Sequence, residues 1–149
     1  MIKKATEAPF MPAGDYGRSL RGMGVNLLVR SIERALPFFR EVLEVEVVHA
    51  DPDFAVLRHG GQEWMLHADH TYTENPLLAL TGDGALRGAG IELRLYDIDP
   101  DAAAARAEAK GYHLLQPPKD KPHGLRETYL VDVDGYVWVP GQGIPDPPA

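Results

Sequence analysis

The sequence predicts an α+β domain made of two tandem βαβββ modules, and three observations carry that expectation. The first is an internal repeat. "GVNLLVRSIERALPFFREVLEVEVV" (24–48) lies over "GIELRLYDIDPDAAAARAEAKGYHL" (90–114) without a gap. Gly24 meets Gly90, Val25 meets Ile91, Leu27 meets Leu93, Val29 meets Leu95, Ile32 meets Ile98 and Arg40 meets Arg106. The second is that each copy opens as a strand and continues as a helix. The third is that three further strand-like segments follow each helix: "VEVVHA", "FAVLRHG" and "QEWMLHA" in the first half, "HLLQP", "RETYLVD" and "YVWVP" in the second.

Taken in chain order, residues 1–19 form an N-terminal arm. The start "MIKKATEAPFMPAGDYGRSL" holds two lysines but no apolar run, so a secretory signal is not expected. Phe10, Met11, Tyr16 and Leu20 exceed what a solvated tail needs, so the arm is expected to pack on the domain or on a partner subunit. A single domain then spans 20–142, with module one at about 20–80 and module two at about 88–142. The first helix is expected from about Glu33, with Pro37 near its first turn and an apolar stripe of Ile32, Ala35, Leu36, Phe39, Val42 and Leu43. Gly60-Gly61 marks a hairpin turn. Residues 69–89 connect the modules, with a short apolar stretch from Leu77 to Leu80. In the second helix Asp99 suits the N-cap, Pro100 the first helical position and Gly111 the stop. Asp134-Gly135 turns the chain into a last strand on which Trp138 opposes Val137 and Val139. The proline-rich "GQGIPDPPA" reads as irregular, with the tail set at 143–149.

Composition narrows the function classes. Fifteen basic and 22 acidic residues give a net charge of −7, which argues against nucleic acid or an anionic membrane as partner. No run approaches the roughly 18 apolar residues of a spanning helix. Cysteine is absent, which excludes disulfides, thiolate metal sites and thiol nucleophiles together. A cytoplasmic protein is the plain expectation.

The doubled βαβββ unit, with "VRSIERALPFFREVL" and "DVDGYVWV", resembles the vicinal oxygen chelate superfamily, which holds glyoxalase I, the extradiol dioxygenases and the fosfomycin and bleomycin resistance proteins. The resemblance implies two half-barrels around a cavity, often completed by a homodimer. It also implies metal-ligand positions: one at the start of each module's first strand, one on "QEWMLHA" and one late in the last strand. Carried over, these fall on Gly24, Gly90, Met65 or His67, and Val139. Glycine and valine side chains offer no donor. The closer resemblance is therefore to the metal-free bleomycin resistance branch, which binds a drug without turnover, and the expectation is a small-molecule-binding protein with no cofactor.

Strand parity names the pocket. Val25, Leu27, Ile91, Leu93, Trp64 and Trp138 are expected beneath the helices. Asn26, Glu63, His67, Glu92, Arg94, Glu127 and Tyr129 share the opposite side with Met65, Val131, Val137 and Val139. His123 sits in a loop entering a cavity strand. The candidate ligand-binding residues are Asn26, His67, Glu92, Arg94, Glu127, Tyr129 and His123, which together suit a ligand with an apolar body and polar substituents. The charges among them also fit rim ion pairs. His67 and His70 lie three apart, but a strand end between them makes joint chelation a poor fit. An alternative is a metal-dependent lyase or dioxygenase with one divalent ion relocated to His67, Glu92 and Glu127. Glu92 or Glu127 as a metal-free general base is a further option, if burial raises its pKa.

Overall fold

The computed structural model describes residues 2–8 and 10–146; the last three residues of the expected tail lie outside them. Residue contacts divide the chain into two units, Met1–Arg34 with Val45–Leu80, and Ala35–Glu44 with Thr81–Ala149. Each unit holds one open, mixed four-stranded sheet, as two βαβββ modules require.

In the first unit the arm contains a short helix α1 (Ala13–Ser19), which the sequence pattern did not announce. Strand β1 (Asn26–Val29) follows. Helix α2 (Ile32–Pro37) starts one residue before the expected Glu33. Strands β2 (Glu46–Ala50), β3 (Phe54–His59) and β4 (Gln62–Ala68) complete the sheet in the order β1-β4-β3-β2. β1 runs parallel to β4, and the other pairs are antiparallel. Gly60 and Gly61 both have positive φ, 57° and 78°, as a two-residue primed turn demands. Burial alternates along β4: Trp64, Leu66 and Ala68 are buried, while Glu63, Met65 and His67 are half-buried. That period of two sets which side chains meet the core and which face the site.

Pro37 does not sit in the first turn of its helix. It ends α2, and the chain continues as a π-turn over Phe38–Val42, where Leu43 N–H bonds the carbonyl of Phe38 at 3.1 Å. Proline lacks the N–H that an α-helical ladder needs here, so the hydrogen bonding slips by one residue. The segment Ala35–Glu44 belongs to the second unit's packing. There Phe38 meets Tyr112 edge-on at 5.0 Å, Phe39 meets Trp138 at 5.0 Å, and Arg106 donates to the carbonyl of Val42 at 2.9 Å. Each such buried aromatic removes enough apolar surface from water to contribute about 1.5–3 kcal/mol.

The second unit adds β5 (Glu92–Tyr96), α3 (Pro100–Ala109), β6 (His113–Asp120), β7 (Leu125–Val131) and β8 (Val137–Gly143), ordered β5-β8-β7-β6. Asp99 caps α3 by accepting from Asp101 and Ala102 N–H at 2.9 and 3.3 Å. Past its end, Gly111 has φ 79°, with Tyr112 N–H on Ala107 and Gly111 N–H on Glu108. β6 runs on through Pro117 and Pro118, which an edge strand tolerates because no further strand needs their N–H groups. β8 extends through Pro140 to Gly143, so the Gly-Gln-Gly expected to be irregular is strand, held by pairing with Leu125–Glu127. Ile91, expected beneath a helix, is 54% exposed because β5 begins only at Glu92.

The turn before β8 is built on one carboxylate. Asp132 accepts from the backbone N–H of Asp134 and Tyr136 at 2.9 and 3.0 Å, and from the indole N–H of Trp138 at 2.9 Å. Gly135 has φ 91°, and a Cβ there would stand 2.8 Å from the Leu86 Cα, so both backbone shape and space demand glycine. Burial pushes the Asp132 pKa up to about 6, against the three hydrogen bonds that favour the charged form.

Candidate ligand-binding site

A cavity of about 380 Å³ lies in the first unit, between the arm and the face of the sheet that carries Met65 and His67. The sheet and the turn after it contribute Phe54, Met65, His67 and Tyr72. The arm contributes Phe10, Met11, Tyr16 and Leu20, the residues whose apolar excess marks the arm in the sequence. The arm therefore packs on its own domain.

One carboxylate fastens it. Asp53 accepts from the backbone N–H of Lys4 at 2.6 Å and of Ala5 at 3.1 Å, and pairs with His70 Nε2 at 2.8 Å. Burial works against this carboxylate, but the hydrogen bonds from His70, Lys4 and Ala5 outweigh it and hold its pKa below the usual range. Phe10 completes the attachment: its ring stacks on His49 at 4.8 Å and lies 6.3 Å from Phe54. His49 in turn pairs with Asp51 at 2.8 Å. His70 turns to Asp53, whereas His67 turns to Asn26.

His67 and Tyr72 line the cavity and Asn26, which does not, links them: His67 Nδ1 lies 2.6 Å from Asn26 Oδ1, and Asn26 Nδ2 donates to the Tyr72 hydroxyl at 2.5 Å. The His67 ring is near-parallel to Phe54, 5.5 Å and 24° apart, and tilted by 33° from Tyr72 at 5.5 Å. Burial lowers the His67 pKa, with Asp51 pulling weakly the other way, so the imidazole is neutral at pH 7.

The other five candidate residues come together in the second unit. Arg94 pairs with the fully buried carboxylate of Glu127 and with Glu92 at 3.2 Å. His123, half-exposed, stands 3.4 Å from the same Glu127 oxygen. Glu92 is bonded by the Tyr129 hydroxyl, which holds the carboxyl below its ordinary pKa and pushes the phenol up. Burial would lower the Arg94 pKa, but hydrogen bonds to Tyr96, Glu127 and Glu92 raise it overall. Gly141, paired with Glu127, leaves the room this carboxylate needs: a Cβ there would meet the Glu127 Cβ at 3.2 Å. Glu63 is bonded to Arg58 at 2.6 Å and faces the hydroxyl of the cavity-lining Tyr16.

Sheet register fixes the metal-ligand position that the sequence left between Met65 and His67. Leu28 pairs with His67 as Arg94 pairs with Val139, and residues 28 and 94 are repeat equivalents. His67 is therefore the counterpart of Val139. The other carried-over positions are Gly24, Gly90 and Val139, none with a donor atom. Among the described residues no group of three or more His, Asp or Glu side chains is placed to hold a metal ion. The residues present do not fit the metal that the resemblance implies.

Sequence reasoning missed Phe54, Tyr72 and Asp53. Asp53 lies 49 residues from its partner Lys4, and no local pattern signals a side chain that bonds backbone groups so far away. Phe54 was legible only as strand.

Comparison with known proteins places this geometry among relatives. The model of the Glyoxalase/Bleomycin resistance protein/Dioxygenase superfamily matches residues 24–139. No curated protein matches the chain. Among solved structures, a glyoxalase-related enzyme from Fulvimarina pelagi aligns with a TM-score of 0.65 at 20% identity, over 83% of this chain and 89% of that one. TioX from Micromonospora sp. ML1 aligns with a TM-score of 0.58 at 22% identity, over 86% of this chain and all of that one. Lactoylglutathione lyase from Agrobacterium tumefaciens aligns with a TM-score of 0.60 at 21% identity, over 83% and 93%. At these identities the likeness is one of fold.

Proposed function

Because the chain belongs to the Glyoxalase/Bleomycin resistance protein/Dioxygenase superfamily, we propose that it binds and sequesters a small molecule with an apolar body and polar substituents, without a metal. The observation that carries this reading is the cavity of about 380 Å³ in the first unit. Its wall is mostly aromatic and aliphatic, with a few polar groups held by their own hydrogen bonds. That combination is what small-molecule sites require: apolar burial supplies affinity and a few fixed polar atoms supply orientation. The loss of donors at Gly24, Gly90 and Val139 supports the metal-free part.

The test is ligand-observed NMR and thermal denaturation of chelator-treated, full-length protein with a panel of flat aromatic compounds, bleomycin included. Binding that raises the melting temperature, and that is lost when Met65→Trp fills the cavity, supports the reading. A panel without a single binder, or stoichiometric zinc, nickel, manganese or iron whose removal destabilises the purified protein, overturns it. The homodimer that the superfamily resemblance implies is checked separately by sedimentation at micromolar concentration.

A further inference from the structure

We propose that the ligand of this cavity is a flat aromatic compound bearing an N–H or O–H group, and that His67 Nε2 accepts that hydrogen. The inference rests on the binding reading above and adds the chemical class of the ligand. Its premise is the order of donors and acceptors along three side chains. Asn26 spends its Nδ2 on the Tyr72 hydroxyl at 2.5 Å, so what it turns to His67 is Oδ1, an acceptor only, at 2.6 Å. Two acceptors cannot share a hydrogen bond without a proton between them. Nδ1 therefore carries the proton.

A neutral imidazole protonated at Nδ1 has a lone pair at Nε2. The ring is part-buried in the cavity wall, and Nε2 has no hydrogen-bond partner among the described residues. Nε2 is open to the cavity, so a guest that displaces water there leaves this acceptor unpaired, at a cost, unless it brings a donor of its own. Shape adds the second half of the inference. Phe10 and Phe54 are inclined by 35°, Phe54 and His67 by 24°, and His67 and Tyr72 by 33°, so these four rings form a loosely parallel run, while Tyr16 closes the cavity edge-on to Phe10 at 65°. Such an array suits a planar guest by offset stacking. Charge excludes one class: Glu7, Asp51 and Asp53 line the cavity against Lys3 alone, which disfavours an anion.

The alternative owner of the lone pair is a metal ion, since a ligating histidine commonly donates its other N–H as His67 does. The described residues offer no companion ligands, which is why the proposal commits to a hydrogen-bond donor.

Two measurements test it on the full-length, metal-free protein. Long-range ¹H–¹⁵N spectra of the histidine rings at pH 7, with no ligand present, are expected to show His67 protonated at Nδ1 and bare at Nε2. The opposite tautomer overturns the proposal whatever binds, and so does an Nε2 resonance that shifts with one equivalent of zinc or nickel. Fluorescence titration then compares 2-phenylindole with 2-phenylbenzofuran, near-isosteres with and without an N–H. The indole is expected to bind about fivefold more tightly, the worth of one typical hydrogen bond, and His67→Phe to bring the ratio to about one. Asn26→Leu, which frees Nδ1, is expected to move the Nε2 resonance and erase the preference, and it substitutes for His67→Phe should that variant fail to fold. Equal binding of both probes by the unaltered protein overturns the donor inference while the cavity reading stands. Binding of neither overturns both.

Discussion

The two sheets share strand order and register, yet their site-facing sides hold opposite kinds of polar group. In the first unit Asn26, His67 and Tyr72 form a neutral chain of hydrogen bonds beside a cavity walled by the arm. In the second, the repeat counterpart of Asn26 is Glu92 and that of Leu28 is Arg94, and the face carries an ionic network closed on Glu127. Neutral groups cost less to desolvate than charges, so they suit the binding role proposed for the first unit's cavity. Charges on the other face are satisfied by one another. Equivalent positions of one repeated scaffold thus carry a neutral chain on one face and a self-satisfied ionic network on the other.

The largest expected effect breaks the braced face. Arg94→Ala leaves Glu127 buried without its main partner and should cost about 3–5 kcal/mol in urea denaturation, while the cavity's affinity for 2-phenylindole stays unchanged. If Arg94→Ala is tolerated within 1 kcal/mol, the contrast between the two faces is wrong.

A second test uses Asp132, whose turn has no carboxylate counterpart at Gly60-Gly61 in the first unit. Its pKa is raised from 3.8 to about 6 in the folded state, so between those values the native state binds more protons than the unfolded one. Stability therefore falls as pH rises through that window and levels off above it. Against Asp132→Asn, which cannot titrate, the unaltered protein should lose about 2 kcal/mol between pH 4 and 6. Parallel stability curves for the two would remove Asp132 as the cause.

Asp53→Ala addresses the first unit alone. With the carboxylate gone, the amides of Lys4 and Ala5 lose their acceptor, and their hydrogen-exchange protection should fall about tenfold, the equivalent of one good hydrogen bond. Unchanged protection would mean that the Phe10 stack alone holds the arm.

The smallest effect compares equivalent glycines. Gly90 has φ 85°, so Gly90→Ala should cost about 1 kcal/mol or more. Gly24 has no heavy atom within 4 Å of a Cβ added there and no such φ, so Gly24→Ala should stay within about 0.5 kcal/mol. Thermal melts of the pair decide it.

The sequence by itself determined what depends on short-range pattern. Strand parity put Met65 and His67 on one side of β4 and Trp64 and Leu66 on the other, because alternation is a property of extended chain. Asp99 and Gly111 bounded α3 through caps that reach only a few residues. The gapless repeat carried Asn26 onto Glu92. Tertiary structure decided what depends on long-range pairing. It took Ala35–Glu44 into the second unit, and it kept Gly141–Gly143 in a strand whose partner, not its composition, holds it extended. It also brought Lys4 to Asp53 and Tyr72 to Asn26, across 49 and 46 residues. No local preference encodes those contacts: each is made only when packing brings a donor within about 3 Å of an acceptor that burial has cut off from water.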